Sequence, residues 1–386
     1  MRRIRVAHII TRLCQGGAQE NTLHTARLHD RGRYEVDLLC GRIVGGEASI
    51  EDKAASYGVG IVRVPDLVRP LAPWRDVRAL HQLERLIRKG RYDIVHTHTS
   101  KAGYLGRWAA ARAGTPIVVH TPHGHVFDGY FPVPLTRLFV RLERRAAKWT
   151  DRIIALTPQG VEEHLAEGIG RPDQYVDIFS GIDLEPFEAA IRNRDAMRAA
   201  LGYGRDEALI GAAGRLEPVK GFAYFVEAAR LVCAQAPHAR MLLAGRGPLD
   251  RVLRAQAADM GDRFRFLGFR DDLPDVLAAL DIFVLPSINE GMGRVLLECG
   301  AAGVPAVATA VGGVPNIVHD GATGLLTPPR NAQALACNIL GLVQDAGLRH
   351  RMGMAARGHV APRYGIETMV RKIESLYEEL IRAKSL

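Results

Sequence analysis

Short apolar runs alternate with helix-like segments along the whole of this 386-residue chain. Consecutive parallel strands need a crossover of a dozen or more residues, usually a helix, so this alternation predicts parallel α/β sheets. In the first half the runs are Arg5–Ile10, Val36–Leu39, Gly60–Val64, Asp93–Thr97, Ile117–Thr121, Arg152–Leu156 and Tyr175–Ile178. In the second half they are Ala208–Ala213, Arg240–Ala244, Arg265–Leu267, Ile282–Leu285 and Ala306–Thr309. The chain is too long for a single core. A polar stretch, Asp183–Gly204, separates the two sets. The expectation is two doubly wound, Rossmann-like domains facing across a cleft: 1–183, a hinge at 184–206, 207–364, and a C-terminal helix at 365–386 packing back on the first domain. Ligands of such sheets bind outside the carboxyl ends of the strands, so the loops there are where chemistry is sought.

Composition narrows the class. Hydrophobic residues make up 47% and charged residues 24%, as in a soluble globular protein. No apolar run reaches the length that spans a bilayer. The N-terminus, Met1-Arg-Arg-Ile-Arg-Val-Ala-His-Ile-Ile10, runs straight into a strand pattern without a signal-peptide cleavage site. The five cysteines are scattered and form no CxxC pair, which reads as reduced thiols in a cytoplasmic protein. Of the net charge of +9, residues 1–183 carry +7, with 27 Lys/Arg against 20 Asp/Glu. That half is expected to meet acidic surroundings: anionic lipid, a phosphorylated acceptor, or nucleic acid.

The densest chemistry lies in Glu290-Gly-Met-Gly-Arg-Val-Leu-Leu-Glu298. Gly291 and Gly293 permit a sharp turn and close backbone approach to a ligand. Met292–Ala302 reads as a buried helix whose free N–H groups attract an anion. Eight helical residues span about 12 Å, so the two glutamates flank that helix start at different heights. Hydroxyls, then phosphate, then hydroxyls would suit them, as in a nucleotide sugar. A loop glutamate and a surface glutamate beside an ordinary buried helix is the other reading. Upstream, Ile210-Gly-Ala-Ala-Gly-Arg-Leu-Glu-Pro-Val-Lys-Gly221 places Arg215 and Lys220 in a strand-to-helix loop. There Arg could fork onto diphosphate oxygens, with Lys as a point charge. Leu243-Ala-Gly-Arg-Gly-Pro248 is a further tight turn, with glycines that geometry alone would require.

These elements, with Leu267-Gly-Phe269 and Val311-Gly-Gly through Gly324-Leu-Leu326, occur in the order found in the nucleotide-sugar glycosyltransferases of family 4. The chain resembles that family of retaining enzymes with the GT-B fold, most specifically over about residues 208–330. In the first half, Gly16-Gly17 resembles the family's glycine loop. Val119-His-Thr-Pro-His-Gly124 resembles its histidine motif, and Gly181-Ile-Asp183 its domain-closing element, with Ser180 where asparagine is more usual. The resemblance implies a nucleoside diphosphate sugar as donor, UDP-linked by default. The acceptor it implies is a saccharide or lipid-linked saccharide of glycan or exopolysaccharide assembly. Arg215 and Lys220 would stabilise the leaving diphosphate. Glu298 would bind ribose hydroxyls, Glu290 with Gly291, Met292 and Gly293 the donor sugar, and His123 would touch that sugar. Phe269, Arg270, Gly16 and Gly17 would complete the donor contacts. The implied route is front-side attack without a covalent intermediate, and without metal or other cofactor.

Two clusters lie outside that set. His96, His98, His120, His123 and His125 fall within thirty residues. Imidazoles bind zinc, but this spacing matches no standard ligand pattern, so residues lining a sugar cleft are expected, or buried histidines with satisfied rings. Leu135–Trp149 reads as an amphipathic helix. Arg137, Arg141, Arg144, Arg145 and Lys148 form one stripe, and Leu138, Leu142, Ala146 and Trp149 the other. Such a helix suits anionic headgroups at the inner face of a membrane, or is a solvated basic face. Nucleic acid is not expected, because no aromatics interleave the stripe. Ser100-Lys101, at a strand end, would meet acceptor or donor phosphate or simply face solvent. Two other functions compete: a UDP-GlcNAc 2-epimerase-like GT-B enzyme, and a catalytically silent sugar-nucleotide-binding scaffold. The first would need acid/base carboxylates in the cleft, and the intact Arg215, Lys220, Glu290 and Glu298 count against the second.

Overall fold

The computed structural model describes residues 2–44, 48–123 and 133–386. It divides into two compact units, 1–181 with 366–386, and 182–365. The first unit holds β1 (Ile4–Ile10), β2 (Tyr34–Cys40), β3 (Gly60–Arg63), β4 (Ile94–His98), β5 (Ile117–Thr121), β6 (Arg152–Ala155) and β7 (Tyr175–Asp177). They form one parallel sheet in the order β3-β2-β1-β4-β5-β6-β7. The second unit holds β8 (Ala208–Ala213), β9 (Ala239–Ala244), β10 (Phe264–Gly268), β11 (Ile282–Leu285), β12 (Ala306–Thr309) and β13 (Gly324–Thr327). Its parallel order is β10-β9-β8-β11-β12-β13. Strand order reverses between β1 and β4 in one sheet and between β8 and β11 in the other. At such a point the flanking connections diverge and leave a crevice at the strands' carboxyl ends. Central strands β4, β8, β11 and β12 are buried throughout, while edge strand β3 is not, as layers of helix on both faces require.

Strand alternation sorts the first sheet's side chains. Val6 and Ile10 face one core, with Ile366, Met369, Ile373, Tyr377 and Leu380 of helix Ile366–Ala383. Ala7 and Ile9 face the opposite core, with helices Pro73–Gly90 and Ser100–Ala113. The C-terminal helix has apolar residues at helical spacing and buries that stripe on the first sheet. Residues 184–206, expected as a hinge, are two helices, Glu185–Arg192 and Arg194–Ala200, followed by a loop. Arg194 and Arg198 both pair with Asp281, at 2.7 and 3.0 Å, just before β11, and hold this segment on the second unit. Strand β13 was not expected. It is only four residues, Gly-Leu-Leu-Thr, at the sheet edge, without the β-branched run that announces a strand.

Candidate active site

In the second unit, the loops that follow β8 and β11 are drawn against each other. Gly221 has φ +65°, and a Cβ there would penetrate the Pro286 carbonyl oxygen, so only glycine allows the approach. Ile288 N–H donates to the Val219 carbonyl at 2.8 Å across the same gap. The consequence is an ion pair: Lys220 Nζ donates to Glu290 Oε2 at 2.6 Å, and Ser287 Oγ donates to the same oxygen at 3.0 Å. Thr309 Oγ1, at the end of β12, donates to the Ser287 carbonyl at 2.5 Å. From the other side Gly312, φ +49°, leaves no room for a Cβ beside the Glu290 carbonyl, and Gly313 N–H donates to Gly291 O at 2.9 Å. Three loops therefore pin Glu290. Its side chain is 12% exposed and that of Lys220 27%, which leaves the pair open to a ligand. The cation expected on diphosphate and the carboxylate expected on sugar are thus partners of one another.

The remaining expected residues of this unit have local partners. Arg215 is exposed and pairs with Glu217 at 3.2 Å. The Arg246 turn backs this loop: Leu216 N–H donates to Arg246 O at 3.0 Å, and Gly245 has no room for a Cβ beside Gly214 O. The helix begins at Arg294, not at Met292, because Gly293 takes a left-handed conformation at its N-cap without a side-chain cap. Met292 is buried, so only its backbone is available to a ligand, and Gly291 is exposed. Glu298 lies one turn into the helix and pairs with Arg294 at 3.2 Å. Phe269 is exposed, and Asp272 holds Arg270 by two bonds of 2.7 and 2.5 Å. Ser287 and Thr309 gave no signal in the sequence, since a lone hydroxyl has no periodicity to read.

In the first unit, Gly16 caps helix Gly17–Leu28, which starts at the Gly17 of the glycine pair, beyond the carboxyl end of β1. The histidines split by face. His8 lies opposite His96 in register, and His98 is two residues on, so these three share the face crossed by the C-terminal helix. Thr97 and His120 point the other way, where His120 Nδ1 bonds Thr97 Oγ1 at 2.9 Å beside Gly103. His96 bonds Tyr377 Oη at 2.6 Å and Thr121 Oγ1 at 2.8 Å. His8 bonds His98 at 3.0 Å and His29 at 3.1 Å, His98 bonds His123 at 2.9 Å, and His29 bonds Glu374 Oε1 at 3.2 Å. Ring nitrogens of His8, His96 and His98 come within 4.8 Å of one another, yet all six have hydrogen-bond partners. Burial holds His8, His96, His98 and His120 well below the usual imidazole range, lowers His29, and lowers His123 to about 3. His8, His29 and Glu374 were missed, being too far apart in the chain to form a motif. Gly124 and His125 lie outside the described residues.

A cavity of about 830 Å³ opens beside the carboxyl ends of β1 and β4, walled by Leu71, Val77, Leu80, Trp108, Phe139 and Leu142, with Arg12 and Arg69 among its polar residues. Lys101, also there, donates to Val68 O at 2.8 Å and Pro70 O at 2.5 Å and pairs with Asp76 at 2.6 Å. It therefore clamps the 68–76 segment. Helix Val133–Ala147 keeps Arg137, Arg141, Arg144 and Arg145 exposed, with Lys148 just beyond it. Arg145 lies over the stacked rings of Trp108 and Trp149. Leu138, expected on the buried stripe, is 48% exposed; Val140, Ala146 and Ala147 are the buried residues. Leu71, Trp74, Val77 and Val133 are exposed too. No helix among the described residues is long and apolar enough to cross a membrane.

Comparison with known proteins bears on this geometry. Residues 16–177 match a glycosyl transferase 4-like domain, and residues 207–345 match glycosyl transferases group 1. The chain is 32% identical over 384 residues, 98% of each protein, to the UDP-Gal:alpha-D-GlcNAc-diphosphoundecaprenol alpha-1,3-galactosyltransferase of Escherichia coli. It is also 32% identical over 315 residues to the D-inositol 3-phosphate glycosyltransferase of Streptomyces avermitilis, covering 77% of this chain and 67% of that one. Among solved structures, Anabaena HepE in complex with UDP and glucose superposes with a TM-score of 0.82 at 22% identity, over 97% of this chain and all of that one. That likeness extends to the fold.

Proposed function

The chain belongs to the family 4 glycosyltransferases of GT-B fold, and from that membership we propose that it transfers a hexose from a UDP-sugar, with retention, to a lipid-linked saccharide. One observation carries the proposal: the Lys220–Glu290–Ser287 cluster, held by glycines at the point where strand order reverses. A diphosphate arriving there would draw Lys220 from Glu290, and Arg215, exposed nearby in sequence, would fork onto its oxygens. The leaving charge is then met by preorganised cations, so no metal is needed. Glu290, freed of its lysine, accepts from sugar hydroxyls, and Glu298 from the ribose. His123 takes a hydroxyl of the donor sugar. The departing phosphate then removes the acceptor proton during front-side attack, the route that membership of the family suggests.

The lipid-linked acceptor is supported by the E. coli relative's name and by the apolar cavity of the first unit. The exposed basic row with Leu71, Trp74, Val77 and Val133 supports contact with an anionic membrane surface. The test is UDP release and product formation across UDP-hexoses, with and without a saccharide-diphosphate-polyprenol, and assignment of the product anomer by NMR. Lys220→Ala should lower kcat by about 10²–10³, the loss typical of one donor to a developing anion. A folded Lys220→Ala protein with wild-type turnover would refute the clamp.

A further inference from the structure

Five groups of the first unit form an unbranched hydrogen-bonded line: Glu374, His29, His8, His98, His123. The steps are 3.2, 3.1, 3.0 and 2.9 Å. His8, His29 and His98 are no more than 2% exposed. Their surroundings offer little to stabilise an imidazolium. His96 stacks on His98, Tyr34 and Tyr377 lie against His29, and Arg31 repels a charge on His8 or His29; among the described residues, Glu374 is the carboxylate hydrogen-bonded to the line. Burial keeps the rings neutral and Glu374 ionised, its carboxyl held below the usual range with His29 and the Asp30 N–H as hydrogen-bond donors.

Neutral imidazole has one N–H and one lone pair, and each contact needs one of each. Glu374 can only accept, so His29 carries its proton on Nδ1. His29 Nε2 is then a lone pair, and His8 must donate from Nε2. His8 Nδ1 accepts from His98 Nε2, and His98 Nδ1 accepts from His123 Nε2. Any other assignment sets two lone pairs, or two protons, face to face inside the protein. The last ring therefore keeps a lone pair on Nδ1, which has no hydrogen-bond partner among the described residues.

We infer that Glu374, through His29, His8 and His98, fixes the tautomer of His123, so that His123 offers its substrate an acceptor nitrogen and takes a hydrogen bond from a hydroxyl. Glu374, His29, His8 and His98 are positioning residues. The tautomer follows from the hydrogen-bond line and the burial that keeps its rings neutral; only the identity of the hydroxyl rests on the proposed function. It also sets a limit on the donor: the group at His123 must be able to donate, so a deoxy or fluoro analogue at that position loses the contact.

The test is two-bond ¹H–¹⁵N correlation on ¹⁵N-histidine protein at pH 7.5, with kinetics on the same samples. Expected in the wild type is His29 protonated on Nδ1, the tautomer that free imidazole disfavours, and His8, His98 and His123 protonated on Nε2. Glu374→Gln keeps an acceptor oxygen and should keep all four. Glu374→Leu removes the anchor and should give mixed tautomers at His29 and His123, with the donor KM raised about five- to tenfold, the worth of one hydrogen bond. Glu378→Gln, one turn further along the same helix, weakens the contacts to Arg33 and Tyr34 without removing a hydrogen bond of the line, and should change neither. His29 protonated on Nε2 in the wild type, or unchanged tautomers in a folded Glu374→Leu protein, would overturn the inference. Shifted tautomers with unchanged donor kinetics would uphold the line and refute the sugar-binding role of His123.

Discussion

The buried rings make acid stability a direct test of the first unit. His8, His29, His96, His98 and His120 are each at most 2% exposed, and burial lowers every one of their pKa values. Unfolded, each titrates near 6.5. A ring whose folded pKa lies below its unfolded one binds fewer protons in the folded state, so its stability is complete above pH ~6.5 and is lost as the pH falls. At pH 5.5 protonation stabilises the unfolded chain by about 1.4 kcal/mol per ring, or up to about 7 kcal/mol for five. A domain's whole stability is about 5–15 kcal/mol, so this unit should be close to unfolding there. The charges facing the rings do not reverse the sign: Glu374 opposes the shift at His29 without overcoming burial, while Arg107 adds to it at His120. All three tryptophans, Trp74, Trp108 and Trp149, lie in this unit, so their fluorescence reports on it selectively. Urea titrations followed by fluorescence between pH 7.5 and 5.5 should show stability falling by several kcal/mol. A change below about 2 kcal/mol would mean that the rings already carry their protons when folded, and the tautomer assignment would fall with it.

Gly312→Ala should be severely destabilising in the second unit or leave it unfolded, since φ is +49° and the new methyl would meet the Glu290 carbonyl; a Tm within two degrees of wild type, roughly the shift for 1 kcal/mol in a domain of this size, would contradict that geometry. Tyr377→Phe strips the hydroxyl from His96 at zero exposure and should cost about 1–3 kcal/mol in the first unit, measurable by the same fluorescence titration. Of the five cysteines only Cys337 is exposed, so a thiol reagent should label one site in the native protein and five after denaturation.

Much of the architecture is legible because strand and helix patterns are local. Of the thirteen strands among the described residues, twelve lie on a two-residue period or in buried runs, and β13, short and glycine-led, escapes notice. The second unit's candidate site loops are legible for another reason: glycines where a turn or a close approach excludes a Cβ leave a mark in sequence, as at Gly221 and Gly312. What pairs with what is not written locally. Lys220 and Glu290 are seventy residues apart, and no pattern says that they meet. The linker was misjudged because its polar residues include Arg194 and Arg198, whose partner Asp281 lies over eighty residues on. Likewise His29 and Glu374 are separated by 345 residues and joined only when the C-terminal helix returns to the first sheet.

The two units handle their polar groups in opposite ways. Lys220 and Glu290 keep 27% and 12% of their side-chain surface, enough for a charged pair to stay hydrated and to exchange partners with an incoming anion. A fully buried pair would resist that exchange, because removing one member strands a charge in low dielectric. The histidine line is made for the other task. Neutral rings cost little to bury once each N–H and lone pair is matched, and they hold direction without holding charge. In the proposed function, a neutral ring that presents a lone pair would accept from a sugar hydroxyl and offer phosphate no donor, separating the two chemistries a nucleotide sugar carries. It follows that a substitution such as His98→Lys should impair the unit even where it packs, because an ammonium can still donate to His8 Nδ1 but cannot accept from His123 Nε2.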